Sequence, residues 1–462
     1  MKTTGKILVA VLGTALFWAG CGKKYPASSW SLDKSGASTQ LKQFIAAQEI
    51  QARALAKEEG KKLPSEFDAF YKAAETGDWQ DATNLFGQMR KHLDTDSSLL
   101  GSWWSATLDA CGVFWEFPPG DKYAMAFGND IIQSIPGGSI YFGGADPGRF
   151  AVTALMESHA DGKPFFMLSQ NPLADATYLH YLRAMYGGKI HTLTDEDWQK
   201  SFQDYTADAQ RRLAHDKQFP NEPKQLMPGE EVRLDTNGQI RLSGQMNVIG
   251  IRELLTKTIF DKNPDREFYV VEGFPLDWMY PYLEPHGLIM KINRQPLPAL
   301  SDEIVQRDGD YWTKYVTPMI GGWLKPDTTI EEVAAFAEKI HVKKDLSGFA
   351  GDPQFVQSEY WSENFSKLRS SIGGLYEWRA RHTTDAAEKK RMNDAADFAF
   401  RQAWALCPYS AETVVRYVDL LMSQNRRADA LLVAETAAKM PEMKGNEQLR
   451  AFMTALENPK SM

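Results

Sequence analysis

In this 462-residue sequence the side chains best placed for chemistry are Asp146, Arg149 and Asn171. The first two lie in the stretch Gly-Gly-Ala-Asp-Pro-Gly-Arg at 143–149, between an apolar run at 139–143 (SIYFG) and a helical pattern. Loops that leave a strand and enter a helix are where open α/β sheets hold ligands. A carboxylate there could hold a sugar hydroxyl or a cation, and a guanidinium near a helix start could meet an anion. Asn171, just past a second apolar run at 165–169 (FFMLS), would line the same rim. The competing reading is structural: a Pro-Gly turn with an Asp that caps the helix. The loop has neither the GxGxxG nor the GxxxxGK spacing of a phosphate cradle.

Other reactive side chains form no pattern. The eight histidines are scattered; Glu157 stands near His159, and His180 and His191 flank a helix end, without an HExxH pair, so no metal is expected. There is no GxSxG elbow, and neither Cys111 nor Cys407 sits in a motif. No catalytic residue is assigned and no cofactor is implied. Three cysteines cannot build a disulfide framework; Cys111 and Cys407 read as two buried thiols, with their pairing left open. A formal charge of -8 without a basic stripe excludes a nucleic-acid surface, because phosphate binding needs clustered Lys and Arg.

At the N-terminus Lys2 and Lys6 precede an apolar run from Ile7 to Trp18 that closes on Ala19-Gly20-Cys21. This is a signal-peptide layout, and it is short of the ~20 apolar residues that span a bilayer. The small residues before Cys21 resemble the lipobox of bacterial lipoproteins, in which the cysteine thiol takes a diacylglycerol and becomes the new N-terminus. Trp18 departs from the usual Leu. A retained signal anchor or ordinary cleavage are the alternatives, and each still exports the chain. The expectation is a cell-envelope protein, lipid-anchored at Cys21, with its body in the periplasm or outside the cell. Gly22 in place of Asp favours the outer membrane, and the leaflet stays open.

The elements that must position these residues divide the chain into a signal peptide at 1–21, a polar tether at 22–40, a helical region at 41–117, an α/β domain at 118–299, a helical connector at 300–365 and helical repeats at 366–456. In the first helical region Gly77, Trp79, Ala82 and Phe86 fit a repeat-like hairpin, a pattern that generic helical hairpins share. Within the α/β domain, strand-turn-helix units at 139–157 and 165–186 predict a mostly parallel sheet. Thr194 followed by Asp195, Glu196 and Asp197 reads as a capped helix start rather than a metal site. Residues 232–242 alternate around Asn237-Gly238 and predict a hairpin. Apolar runs at 267–272 and 288–292 predict further strands.

Near the C-terminus Ala396, Phe400, Ala403 and Pro408 recur in kind as Ala430, Ala434, Ala437 and, one residue early, Pro441. The offset from 396 to 430 is 34 residues, the tetratricopeptide period, and small residues at those positions let two antiparallel helices approach. Val414, Tyr417, Val418 and Leu421 supply a first helix, and Ile372, Gly373 and Tyr376 an earlier one. Two repeats are fewer than a free-standing solenoid needs, so they are expected to pack on the preceding helices.

Gly138 to Phe142 running into Asp146, Phe165 to Asn171, and Arg266 to Val270 leading through Tyr282-Leu283 to His286-Gly287-Leu288 carry a further resemblance. Together they are similar to the soluble C-terminal portion of large bacterial multi-pass membrane proteins related to protein O-mannosyltransferases. The resemblance implies a shared soluble module, and with it a membrane glycosyltransferase-like protein as one candidate partner. It carries over no catalytic residue. The expected function is therefore a membrane-anchored exported scaffold with an unidentified protein partner, bound through the repeats. The alternative is a glycan-binding or glycosyltransferase-associated protein with its site at the 143–149 loop.

Overall fold

The structure is a computed structural model that describes residues 36–117, 122–144, 147–234, 240–271, 275–446 and 453–454. Cys21 and the signal peptide, Asp146, and the Asn237-Gly238 turn lie outside the described residues. The helices are α1 (Gly36–Glu58), α2 (Phe67–Thr76), α3 (Trp79–Thr95), α4 (Trp103–Glu116), α5 (Lys122–Ser134), α6 (Pro147–Leu155), α7 (Ala176–Tyr186), α8 (Asp195–Gln218) and α9 (Gln245–Lys262). They continue as α10 (Asp302–Ile320), α11 (Ile330–Ala337), α12 (Pro353–Gln357), α13 (Glu359–Arg381), α14 (Ala386–Leu406), α15 (Ala411–Ser423) and α16 (Arg427–Ala438). The strands are β1 (Ile140–Gly143), β2 (Phe166–Ser169), β3 (Glu231–Leu234), β4 (Ile240–Ser243), β5 (Phe268–Val270), β6 (Leu283–His286) and β7 (Ile289–Ile292). No helix among the described residues is long and apolar enough to cross a membrane.

The chain divides into two interleaved compact units, one of residues 1–121 and 149–266, the other of 122–148 and 267–462. Residues of the 118–299 segment thus occur in both. In the first unit α1 packs along α4, and α4 along α7. Aromatic side chains fill this core: Phe67, Phe70 and Tyr71 of α2 and Trp103 of α4 are at most 1% exposed. In the aromatic segment at 99–117, Trp103 and Phe117 are buried, whereas Trp104, Phe114 and Trp115 are half-buried. α1 begins at Gly36, inside the expected tether. Thr194 caps α8 in a capping box with Asp197, which satisfies two backbone donors at the helix start. β3 and β4 pair antiparallel with Leu234 opposite Ile240, the hairpin that the alternating pattern predicts.

The second unit contributes four neighbouring strands, β1-β5-β7-β6, to a mixed sheet. β1 and β5 are parallel, with Tyr141 opposite Tyr269. β7 runs antiparallel to both β5 and β6. The expectation of a mostly parallel sheet is corrected at this point, for a local reason. Gly287 turns the chain at φ 65°, and a two-residue connection can join only antiparallel strands. α10 packs against β6, α10 and α11 pack against α14, and α11 also packs against α16. Thr329 caps α11 in a second capping box, with Glu332.

Candidate functional site

Of the residues expected to line a ligand rim, Asp146 lies outside the described residues, and Arg149 and Asn171 are engaged elsewhere. The Arg149 guanidinium is buried in the first unit, where Nε and Nη2 donate to Asp109 Oδ1 at 2.9 and 2.6 Å. Burial alone would lower the guanidinium's pKa, but Asp109 outweighs it and holds Arg149 firmly charged. Asp109 Oδ2 accepts from the Tyr181 hydroxyl at 3.0 Å, and the same hydroxyl lies 2.5 Å from His159 Nε2. Asp109, Arg149, His159 and Tyr181 are each at most 8% exposed. They form a closed polar core rather than an open rim. Asn171 is engaged separately, its Oδ1 accepting from Arg252 Nη1. Arg149 and Asn171 therefore serve different partners.

The C-terminal helices form two successive antiparallel hairpins, α13 with α14 and α15 with α16. Every expected packing alanine, Ala396, Ala403, Ala430, Ala434 and Ala437, is 0% exposed, as is Phe400. Phe400 stacks on Tyr417 of the next hairpin at 5.8 Å, with an 18° tilt. Pro408 is buried in the turn after α14. Within α13, Ser366 Oγ donates to the Ala403 carbonyl at 2.7 Å and lies 2.8 Å from Thr413 Oγ1, which ties three helices together. A buried ion pair fixes the first hairpin to α10: Arg369 Nη1 meets Asp308 at 2.7 Å, and the Tyr376 hydroxyl donates to the same oxygen at 2.8 Å.

The first helices of the two hairpins, α13 and α15, share a polar face. Glu363 and Lys367, then Glu377 and Arg381, pair at i and i+4 on α13. On α15, Glu412 meets Arg416 at 3.5 Å. Arg416 lies against Gly374, where a Cβ would stand 2.7 Å from its Nη2. Burial pushes the carboxyls of both Glu377 and Glu412 upward, although Arg381 and Arg416 pull the first back and Arg416 and Lys367 the second. At the end of this face Tyr280 stacks on Trp378 at 5.5 Å, and Trp378 on His382 at 4.1 Å. Half-desolvated carboxylates around one arginine, flanked by aromatic rings, can recognise a charged or hydrogen-bonding protein segment.

No family model, curated protein or solved structure matches this chain. The face between α13 and α15 stands on its own geometry.

Glu377, Glu412 and Arg416 carry little signal in the sequence. Acid and base at i and i+4 ordinarily mark a solvated helix face. What removes water from them is the approach of α15 to α13, which depends on Gly374 and on packing residues far away in the chain. Among the described residues no three His, Cys, Asp or Glu side chains gather to hold a metal ion.

Proposed function

We propose that this chain is an exported, membrane-anchored scaffold whose C-terminal helical repeats, of tetratricopeptide type, bind a protein partner. The observation that carries the reading is the placement of small residues 34 apart, such as Ala396 and Ala430, in the second helices of successive hairpins. Both are fully buried, so the sequence period coincides with a packing period. The face between α13 and α15, with Arg416 between carboxylates, is the surface offered to the partner. Lipidation at Cys21 supplies the anchor in this reading, and the signal-peptide layout supports it. The partner is a protein of the same envelope.

The test is a crosslinked capture from native membranes, with the full chain compared against an Arg416→Glu, Glu412→Lys double variant. The exchange keeps the 412–416 pair opposite in charge but sets a carboxylate beside Glu377, so thermal melts of both proteins accompany the capture and report whether the variant is folded. A defined partner captured by the wild type and lost with the variant supports the reading. If the wild type captures no defined partner, or if the variant captures the same one equally well, the α13/α15 face is not a docking surface.

A further inference from the structure

A second site lies in the second unit, beyond the scaffold reading and independent of it. A cavity of about 400 Å³ opens where the end of α10 meets the segment that follows α11. Ile320, Trp323, Phe336, Lys339, Ile340 and Phe349 line it. This volume lies within the range of small-molecule sites. Trp323, Phe336 and Phe349 are half-exposed rings whose centroids follow one another at 4.6 and 6.1 Å, so they form one continuous aromatic wall. The Trp323 indole N–H is already spent on the Ile320 carbonyl at 2.9 Å, which leaves the ring face as its contribution to the wall.

The backbone beside this wall is irregular. Glu338–Val342 form a π-helical turn, a distortion found frequently at functional sites. That turn presents Lys339 at the rim. Its Nζ donates to the neutral Ser347 carbonyl at 2.6 Å, and among the described residues no carboxylate is in ion-pair contact with Lys339 or with Lys343. Asp345 follows this turn, and its carboxylate is taken up chiefly by Ser347, whose N–H it accepts at 2.9 Å, with a smaller attraction to Lys339 and Lys343. Glu338 is matched by Lys439 at 2.6 Å, and Lys344 stands 3.9 Å from Glu442. Among the described residues that line the cavity, Lys339 alone carries a charge.

We propose that this cavity binds a flat apolar monoanion, an aromatic carboxylate in chemical class, with its rings against Trp323, Phe336 and Phe349 and its carboxylate at Lys339. The aromatic wall supplies stacking area. Lys339 exchanges a neutral carbonyl for an anionic acceptor and so gains a charge-assisted hydrogen bond.

The full chain would be titrated calorimetrically with naphthalene-2-carboxylate and, as the uncharged body of the same shape, 2-naphthalenemethanol. The wild type should bind the acid more tightly than the alcohol. Lys339→Met keeps the apolar stem and drops the charge; it should weaken the acid by about threefold and leave the alcohol unchanged. Phe349→Ala should weaken both ligands by roughly five- to tenfold, with thermal melts reporting whether each variant is folded. The proposal is overturned if the wild type binds neither probe, if it binds acid and alcohol equally, or if the acid binds both folded variants as tightly as the wild type.

Discussion

Arg149 places two donors, Nε and Nη2, on a single oxygen of Asp109, and both side chains are sealed from solvent in the first unit. The second Asp109 oxygen is used by Tyr181. Removing one partner strands the other charge in a medium that cannot solvate it. Arg149→Ala should therefore cost about 3–5 kcal/mol of unfolding free energy, whereas replacing Asp109 and Arg149 together by apolar residues of similar volume should recover most of that loss. Urea unfolding of the wild type and the two variants measures it. A loss below about 1 kcal/mol in Arg149→Ala would mean that the guanidinium is exposed enough to serve as a ligand-binding group.

His159 makes the same core sensitive to acid. Because the Tyr181 hydroxyl donates to Asp109, its oxygen is left to accept from His159 Nε2, which places the imidazole proton on Nε2. Nδ1 then faces the Tyr186 hydroxyl at 3.4 Å as an acceptor. Burial lowers the His159 pKa, Asp109 opposes that shift and Arg149 adds to it. In the second unit burial, with a smaller contribution from Lys344, lowers His341 to about 4. Both native values lie below the unfolded value near ~6.5, so the unfolded chain takes up protons first as pH falls. The stability these neutral imidazoles contribute is whole above about pH 6.5 and is lost progressively below it. The urea midpoint should fall between pH 7.5 and 5, and His159→Gln should flatten that slope. Equal midpoints at both pH values would show that neither histidine is held neutral.

Gly374 holds a place for Arg416. A methyl group there would stand 2.7 Å from Nη2 and 3.2 Å from Cζ, so Gly374→Ala must push the guanidinium off α13. The arginine is long and flexible, and the helix gains a better former than glycine; the net stability change should stay within about 1 kcal/mol. Partner capture should fall in the same variant, because Arg416 no longer stands beside Glu377 and Glu412. Measured together, a melt and a capture assay separate the two effects, and unaltered capture would remove Arg416 from the docking face.

What could be foreseen from the sequence is what local physics decides. Thr194 and Asp197 form their capping box from neighbouring atoms, and the alternation on either side of 237–238 foretells the β3–β4 hairpin, although its register is one residue off that of a two-residue turn at 237–238 and Asn247 of α9 donates to the Glu231 carbonyl. The spacing of Ala396, Phe400 and Ala403 foretold their burial for the same reason. β6 was harder to see. Leu-Glu-Pro-His alternates in burial, but four residues that include a proline are a weak strand signal, and the segment becomes a strand because Gly287 folds it back on β7. Arg149 sits in the core and not on a rim because its partner, Asp109, lies 40 positions away on α4. Nothing near Arg149 announces a buried carboxylate. The polar face of α13 was invisible for a similar reason, since only the approach of α15 turns its charged pairs from solvated to half-buried.

The membrane anchor has the most direct test. If Cys21 carries the lipid, Cys21→Ser should move the protein from the membrane fraction to the soluble fraction and abolish labelling by an alkyne-tagged fatty acid. Cys111 and Cys407 cannot substitute as acceptors, because both thiols are buried, and burial pushes the Cys407 thiol up to about 12, far from a reactive thiolate. Each buried methylene of an acyl chain is worth about 0.8 kcal/mol, so the loss of a diacyl anchor should be close to complete. A Cys21→Ser protein that still sediments with membranes, its apolar run at 7–18 intact, would point to an uncleaved signal anchor and sink the lipoprotein reading while leaving export in place.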